Sequence, residues 1–116
     1  MKAEILKGHL DAVMLAIVAE GPAHGYSIIE RISERSEGLI ELGEGTAYPA
    51  LHRLERQGYL KSRWGKVGGR RRRVYELTSE GRRALQEHER EWKDFAKAIG
   101  SFLGPKPGTV AQAGLA

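Results

Sequence analysis

The sequence predicts a mainly α-helical chain with one small β-hairpin and a long C-terminal helix. Three observations lead there. Aliphatic residues recur every three or four positions in the first half, a diglycine splits two alternating stretches within residues 59–78, and an unbroken helical pattern runs from Thr78 to Leu103. A chain of 116 residues suits one small domain, which buries only part of its surface alone, so any further apolar face is expected to meet a partner chain.

From Leu6 to Glu20, the residues Leu6, Leu10, Val13, Met14, Ile17 and Val18 alternate with alanines and predict a helix buried over most of its surface. Gly21-Pro22 ends it, since proline cannot continue the hydrogen-bond ladder. A second helix is predicted from His24 to Glu37, with Tyr26, Ile28, Ile29 and Ile32 opposing Glu30, Arg31, Glu34 and Arg35. Gly38 closes it, and Leu39, Ile40 and Leu42 form a connector pinned to the core.

The stretch GEGTAYPALHRLERQG, residues 43–58, holds the third helix. Pro49 is tolerated in a first turn, so the start is expected between Gly43 and Thr46, and Gly58 is the stop. At 100° per residue, Ala47, Ala50, Leu51 and Leu54 fall within an arc of about 100°. Gly45, Pro49, His52, Arg53 and Arg56 lie on the opposite side, a smooth basic face, and Tyr48 lies between the two.

Next, YLKSRWGKV (59–67) alternates Leu60, Ser62 and Trp64 with Lys61 and Arg63, and RVYELT (73–78) sets Tyr75 and Leu77 on one face. These are two antiparallel strands, and Gly68-Gly69 supplies the left-handed backbone of the turn. The final helix, capped by Thr78 or Ser79, carries Leu85, Trp92 and Ile99 seven apart, with His88, Phe95 and Phe102 each three residues further on. So long an apolar stripe exceeds what a domain this small can cover, and pairing with a second chain is predicted. The domain plan is therefore a globular unit at 1–78, a dimerisation helix at 79–103 and a flexible Gly/Pro/Ala-rich tail at 104–116.

Charge is uneven. Residues 53–73 hold nine Lys/Arg against one acid, Glu55, although the whole chain has a net charge of only +4. Such a concentration is the footprint of a site for a polyanion. The absence of cysteine excludes a disulfide framework and a thiolate zinc site. The segment Leu10–Ala19 is too short to span a bilayer, and Met1-Lys2-Ala3-Glu4 opens no signal peptide, so a cytoplasmic location without membrane contact is expected. His9, His24, His52 and His88 lack metal-site spacing, and no activated nucleophile, phosphate loop or carboxylate dyad is visible, so neither a cofactor nor an enzyme is predicted.

Helix, helix, helix, strand, turn, strand is the order of a winged helix-turn-helix, with the third helix as reader and the hairpin as wing. The blocks LDAVMLAIVAEGPAHGYSIIERI (10–32), GTAYPALHRLERQGYL (45–60) and GGRRRRVYELTSEGRRAL (68–85) resemble PadR-like bacterial transcriptional regulators. The resemblance implies a homodimeric repressor on an inverted-repeat operator, dimerised by the C-terminal helix. With a single long helix after the wing, the chain looks like the short branch of that family. Where the family's wing often reads Gly-Arg-Pro-Arg/Lys, Arg71 stands at the proline position.

Carried over by position, the resemblance assigns Thr46, Tyr48, His52, Arg53 and the Gly69–Arg72 region, including Arg70 and Arg71, to a DNA-facing surface. Tyr26 falls near the same face. In physical terms, Thr46 and Tyr48 are expected to donate to phosphates or base edges, and His52 and Arg53 to read sequence. Arg70, Arg71 and Arg72 would reach phosphates or the minor groove, with Lys61, Arg63, Lys66 and Arg56 adding backbone charge. Arg73 is expected to enter the strand and serve structure. For the C-terminal stripe plain dimer packing is the default reading; the alternative, by resemblance to short regulators of the family that sense drugs, is that paired Trp92 side chains border a cavity for a flat hydrophobic or aromatic effector. The alternatives are a winged-helix module that binds nucleic acid or protein without effector control, and an RNA-binding domain.

Overall fold

The computed structural model describes residues 6–104. Helix α1 spans Leu10–Ala19, strand β1 Ala23–His24, helix α2 Gly25–Arg35 and helix α3 Glu44–Arg56. Strands β2 (Leu60–Val67) and β3 (Arg70–Leu77) follow, and helix α4 (Ser79–Leu103) ends the described chain. The predicted flexible tail at 104–116 lies, apart from Gly104, outside the described residues.

The core forms where the predicted faces converge. Met14, Leu15, Ile17 and Val18 of α1 meet Ile28 and Ile32 of α2, the buried face Ala47, Ala50, Leu51 and Leu54 of α3, and Leu60 and Tyr75 of the sheet. The third helix therefore turns its apolar arc inward, as its spacing predicts, and leaves Gly45, Thr46, Pro49, His52 and Arg56 exposed.

Five local features differ from the sequence reading. Helix α1 starts at Leu10 rather than Leu6, because Gly8 takes a φ of +93° that interrupts helical geometry. Helix α2 ends at Arg35, with Glu37 (φ 53°) and Gly38 (φ 80°) left-handed and the Gly38 N–H donating to the Ser33 carbonyl at 2.8 Å. Pro49 sits sixth in α3, in the second turn rather than the first. Its missing N–H leaves the Gly45 carbonyl without a helical partner, which is tolerable because Gly45 faces solvent.

The fourth is a third strand. β1 pairs antiparallel with β3, Ala23 opposite Tyr75 and His24 opposite Val74, giving the order β1-β3-β2. Two residues are too few for an alternating pattern to announce a strand.

In the hairpin, Gly68 (φ 60°) and Gly69 (φ 80°) form a two-residue turn that sets Val67 opposite Arg70 and Trp64 opposite Arg73. β3 thus begins at Arg70, three residues before the predicted start at Arg73, and the whole arginine run is strand.

Compact packing divides the chain between Gln86 and Glu87. In the first unit, the Thr78 hydroxyl caps α4 by accepting the Gly81 N–H (2.9 Å) and donates to the Gly58 carbonyl (2.6 Å). Ala84 and Leu85 pack against the core. In the second unit, α4 carries His88, which is half-buried, and Trp92, Phe95, Ile99 and Phe102, which are exposed; the Trp92 and Phe95 rings lie 6.0 Å apart.

Candidate nucleic-acid interface

Helix α3 and the hairpin are joined by one carboxylate. Glu55, near the end of α3, accepts the Ser62 hydroxyl at 2.6 Å and faces Arg73 Nη2 at 3.7 Å. Arg73 Nε in turn donates to Ser62 Oγ at 2.7 Å. Arg73 therefore belongs to the framework, as the sequence reading expects.

Alternation along β3 splits the run in two. Arg71 and Arg73 share the face of Trp64, with guanidinium carbons 4.9 and 5.4 Å from its ring centre. Arg72 points the other way, 5.8 Å above the ring of Tyr26 in the first turn of α2. Arg70, beside the Gly68-Gly69 turn, is paired with Val67 in the ladder, and its side chain makes no hydrogen bond, ion pair or ring contact among the described residues. Lys66, opposite Arg71, is likewise exposed.

The other basic positions are not equally available. Lys61 and Arg63 both face Glu76, at 3.8 and 3.6 Å, so part of the charge on β2 is already balanced. Arg53 Nη2 donates to Asp11 Oδ1 of α1 at 2.5 Å, and the residue is half-buried. The structure thus gives Arg53, expected to read bases, a tie between α1 and α3, while His52 and Arg56 remain open. Thr46 is exposed in the first turn of α3.

Tyr48 is half-buried, its ring lying across Gly25 so closely that a Cβ there would meet ring carbons at 2.5 and 2.7 Å and the hydroxyl at 2.8 Å. Its hydroxyl is therefore turned toward the start of α2. Asp11, Glu55 and Glu76, which restrain cations of this surface, were not anticipated. Asp11 and Arg53 lie 42 residues apart, and no local pattern pairs them. The partnership of Trp64 with Arg71 and Arg73 was within reach, because the two-residue diglycine turn fixes the hairpin register.

Behind the wing, burial and the Arg72 guanidinium hold the imidazole of His24 below its ordinary pKa of 6.5. Its Nδ1 is buried without a hydrogen-bond partner among the described residues. The native state therefore binds fewer protons than the unfolded chain just below pH 6.5, and the stability contribution is full above that pH and lost as the pH falls toward the folded-state pKa. Urea unfolding should give a midpoint that declines from pH 7 to 5, with a shallower decline in His24→Gln. Identical profiles would show that His24 does not set this dependence.

Among the described residues no group of His, Asp or Glu is placed to hold a metal ion, and no helix is long and apolar enough to cross a membrane.

A three-helix core that exposes its third helix beside a basic antiparallel hairpin is a winged helix-turn-helix, a class built to bind DNA. The chain belongs to the transcriptional regulator PadR-like family, whose profile matches residues 14–87. It is 38% identical over 81 residues to a transcriptional regulator of Mycobacterium tuberculosis, covering 70% of this chain and 73% of that one. A transcriptional regulator from Clostridium thermocellum has a similar structure, with a TM-score of 0.80 and 33% identity over 86% of this chain and 98% of that one. A PadR family transcriptional regulator from Eggerthella lenta superposes with a TM-score of 0.76 and 33% identity, covering 90% and 89% of the two chains. Proteins of this family are transcriptional regulators that bind DNA and typically form dimers, and they are not enzymes.

Proposed function

We propose that the protein is a homodimeric, sequence-specific DNA-binding repressor of the short PadR branch, acting in the cytoplasm on an inverted-repeat operator. One observation carries this reading: Glu55 ties the wing, with its four arginines, to the helix that exposes Thr46, His52 and Arg56 to solvent. Helix α3 enters the major groove, where His52 and Arg56 are the exposed side chains free to meet base edges or phosphates. The wing lies along the neighbouring backbone, with Arg70 and Lys66 at its end on phosphates or in the minor groove. Tyr26, exposed against the Arg72 guanidinium, and Tyr48, half-buried across Gly25, shape the surface rather than reading sequence.

In this reading residues 1–78 are the DNA-binding domain, 79–103 the dimerisation helix and 104–116 an appended tail. The Leu85, His88, Trp92, Phe95, Ile99 and Phe102 stripe of two chains would close on itself around a two-fold axis, which suits a palindromic site. A planar hydrophobic effector between paired Trp92 rings would favour one dimer geometry and thereby release or retain DNA.

Selection of binding sites from random duplex DNA tests the proposal. A palindromic motif with half-sites about one helical turn apart is expected. No enrichment over random sequence would defeat sequence-specific reading, and preference for single-stranded RNA would favour an RNA-binding role instead.

On the selected duplex, Arg70→Ala should weaken binding more than Arg73→Ala at equal fold stability, since Arg70 is uncommitted and Arg73 is held by Glu55 and Ser62. Fluorescence anisotropy measures the ranking, and the reverse order would mean that the wing meets DNA through its other face.

A further inference from the structure

We propose that Trp64 is a positioning residue for DNA recognition, holding Arg71 in a preset orientation and linking it through Arg73 to helix α3; this rests on the DNA-binding reading above. Trp64 is 55% exposed, so it contributes little to the core, yet two guanidinium groups lie against its ring. Arg73, directly across the ladder, is fixed by Ser62 and Glu55. Arg71 lies two residues nearer the turn on the same face, and Trp64 is the partner that orders it.

The order of support is therefore α3, Glu55, Ser62 with Arg73, Trp64, Arg71. Each step is fixed by the one before, and the last reaches the outer part of the wing.

Such an arrangement serves recognition for two reasons. A guanidinium held over an aromatic ring can still offer N–H groups to a phosphate. An arginine already confined to one orientation also loses less side-chain freedom on binding than one that is free. Trp64 thus acts through Arg71, without itself needing to touch DNA.

The test is a double-mutant cycle on the duplex obtained by selection, with the full chain and affinity read by fluorescence anisotropy. Trp64→Leu should lower affinity about 2–5-fold per wing in the wild-type background. In an Arg71→Ala background the same change should have almost no effect, because the group it positions is gone. Trp64→Phe, which keeps an aromatic face, should retain most of the affinity, and it serves for the cycle if Trp64→Leu disturbs the hairpin.

Equal losses in both backgrounds would overturn the proposal and mean that Trp64 contacts DNA itself or merely supports the hairpin. Failure of the wild-type protein to bind any duplex would instead remove the DNA-binding reading, and this inference with it.

Discussion

Phe95→Glu should convert the protein to a monomer in sedimentation while residues 6–86 keep their fold, and DNA affinity should fall by about 10²–10⁴. Phe95 is half exposed on α4, beside Trp92, so a carboxylate there costs a lone chain little. In a paired stripe the same carboxylate would be desolvated among aromatic and aliphatic side chains, a cost of several kcal/mol per ion in the order of magnitude seen for buried charges. Losing the pairing makes the two half-sites bind independently, which removes the advantage of a linked second contact. A Phe95→Glu protein that stays dimeric with unchanged affinity would place the dimer contact elsewhere than on α4.

Gly81→Ala should destabilise the first unit by about 1–3 kcal/mol, the usual range for overpacking, measured by urea unfolding. A Cβ on Gly81 would lie 2.1 Å from the Tyr59 carbonyl oxygen and 2.9 Å from Leu77 Cδ1. The carbonyl cannot easily yield, because it already accepts the Thr78 N–H at 3.1 Å while the Thr78 hydroxyl grips the Gly58 carbonyl. The substitution therefore has to lift the start of α4 from the α3–β2 connector. Gly100→Ala in the same helix is the control: nothing lies within 4 Å of its Cβ position, so the better helix former should be neutral or stabilising. An unchanged midpoint for Gly81→Ala would show that the connector adjusts without strain.

Much of this was legible in the sequence because periodicity and turn chemistry are local. The inward arc of Ala47, Ala50, Leu51 and Leu54 follows from helical spacing, and the wing turn follows from Gly68-Gly69, whose positive φ values only glycine adopts freely. What escaped was long-range pairing. Ala23–His24 becomes a strand only because β3 offers it a ladder. Arg53, which the resemblance assigns to the DNA-facing surface, is paired with Asp11 from a helix far earlier in the chain, a contact that no local pattern announces.

The arginine run shows both sides. Its wing placement was legible, but β3 begins at Arg70 and alternates its side chains, so four similar residues acquire four different surroundings.

The salt dependence of affinity for the selected duplex examines the basic surface as a whole. If the dimer neutralises roughly 6–10 phosphates, affinity should fall ~10³–10⁵-fold between 50 and 200 mM salt. Arg70→Ala should make the slope shallower by about one counterion for each wing arginine removed from a phosphate. A steep wild-type slope that Arg70→Ala reduces is the predicted result, whereas a nearly flat slope, or one that Arg70→Ala leaves unchanged, would contradict DNA binding through this wing.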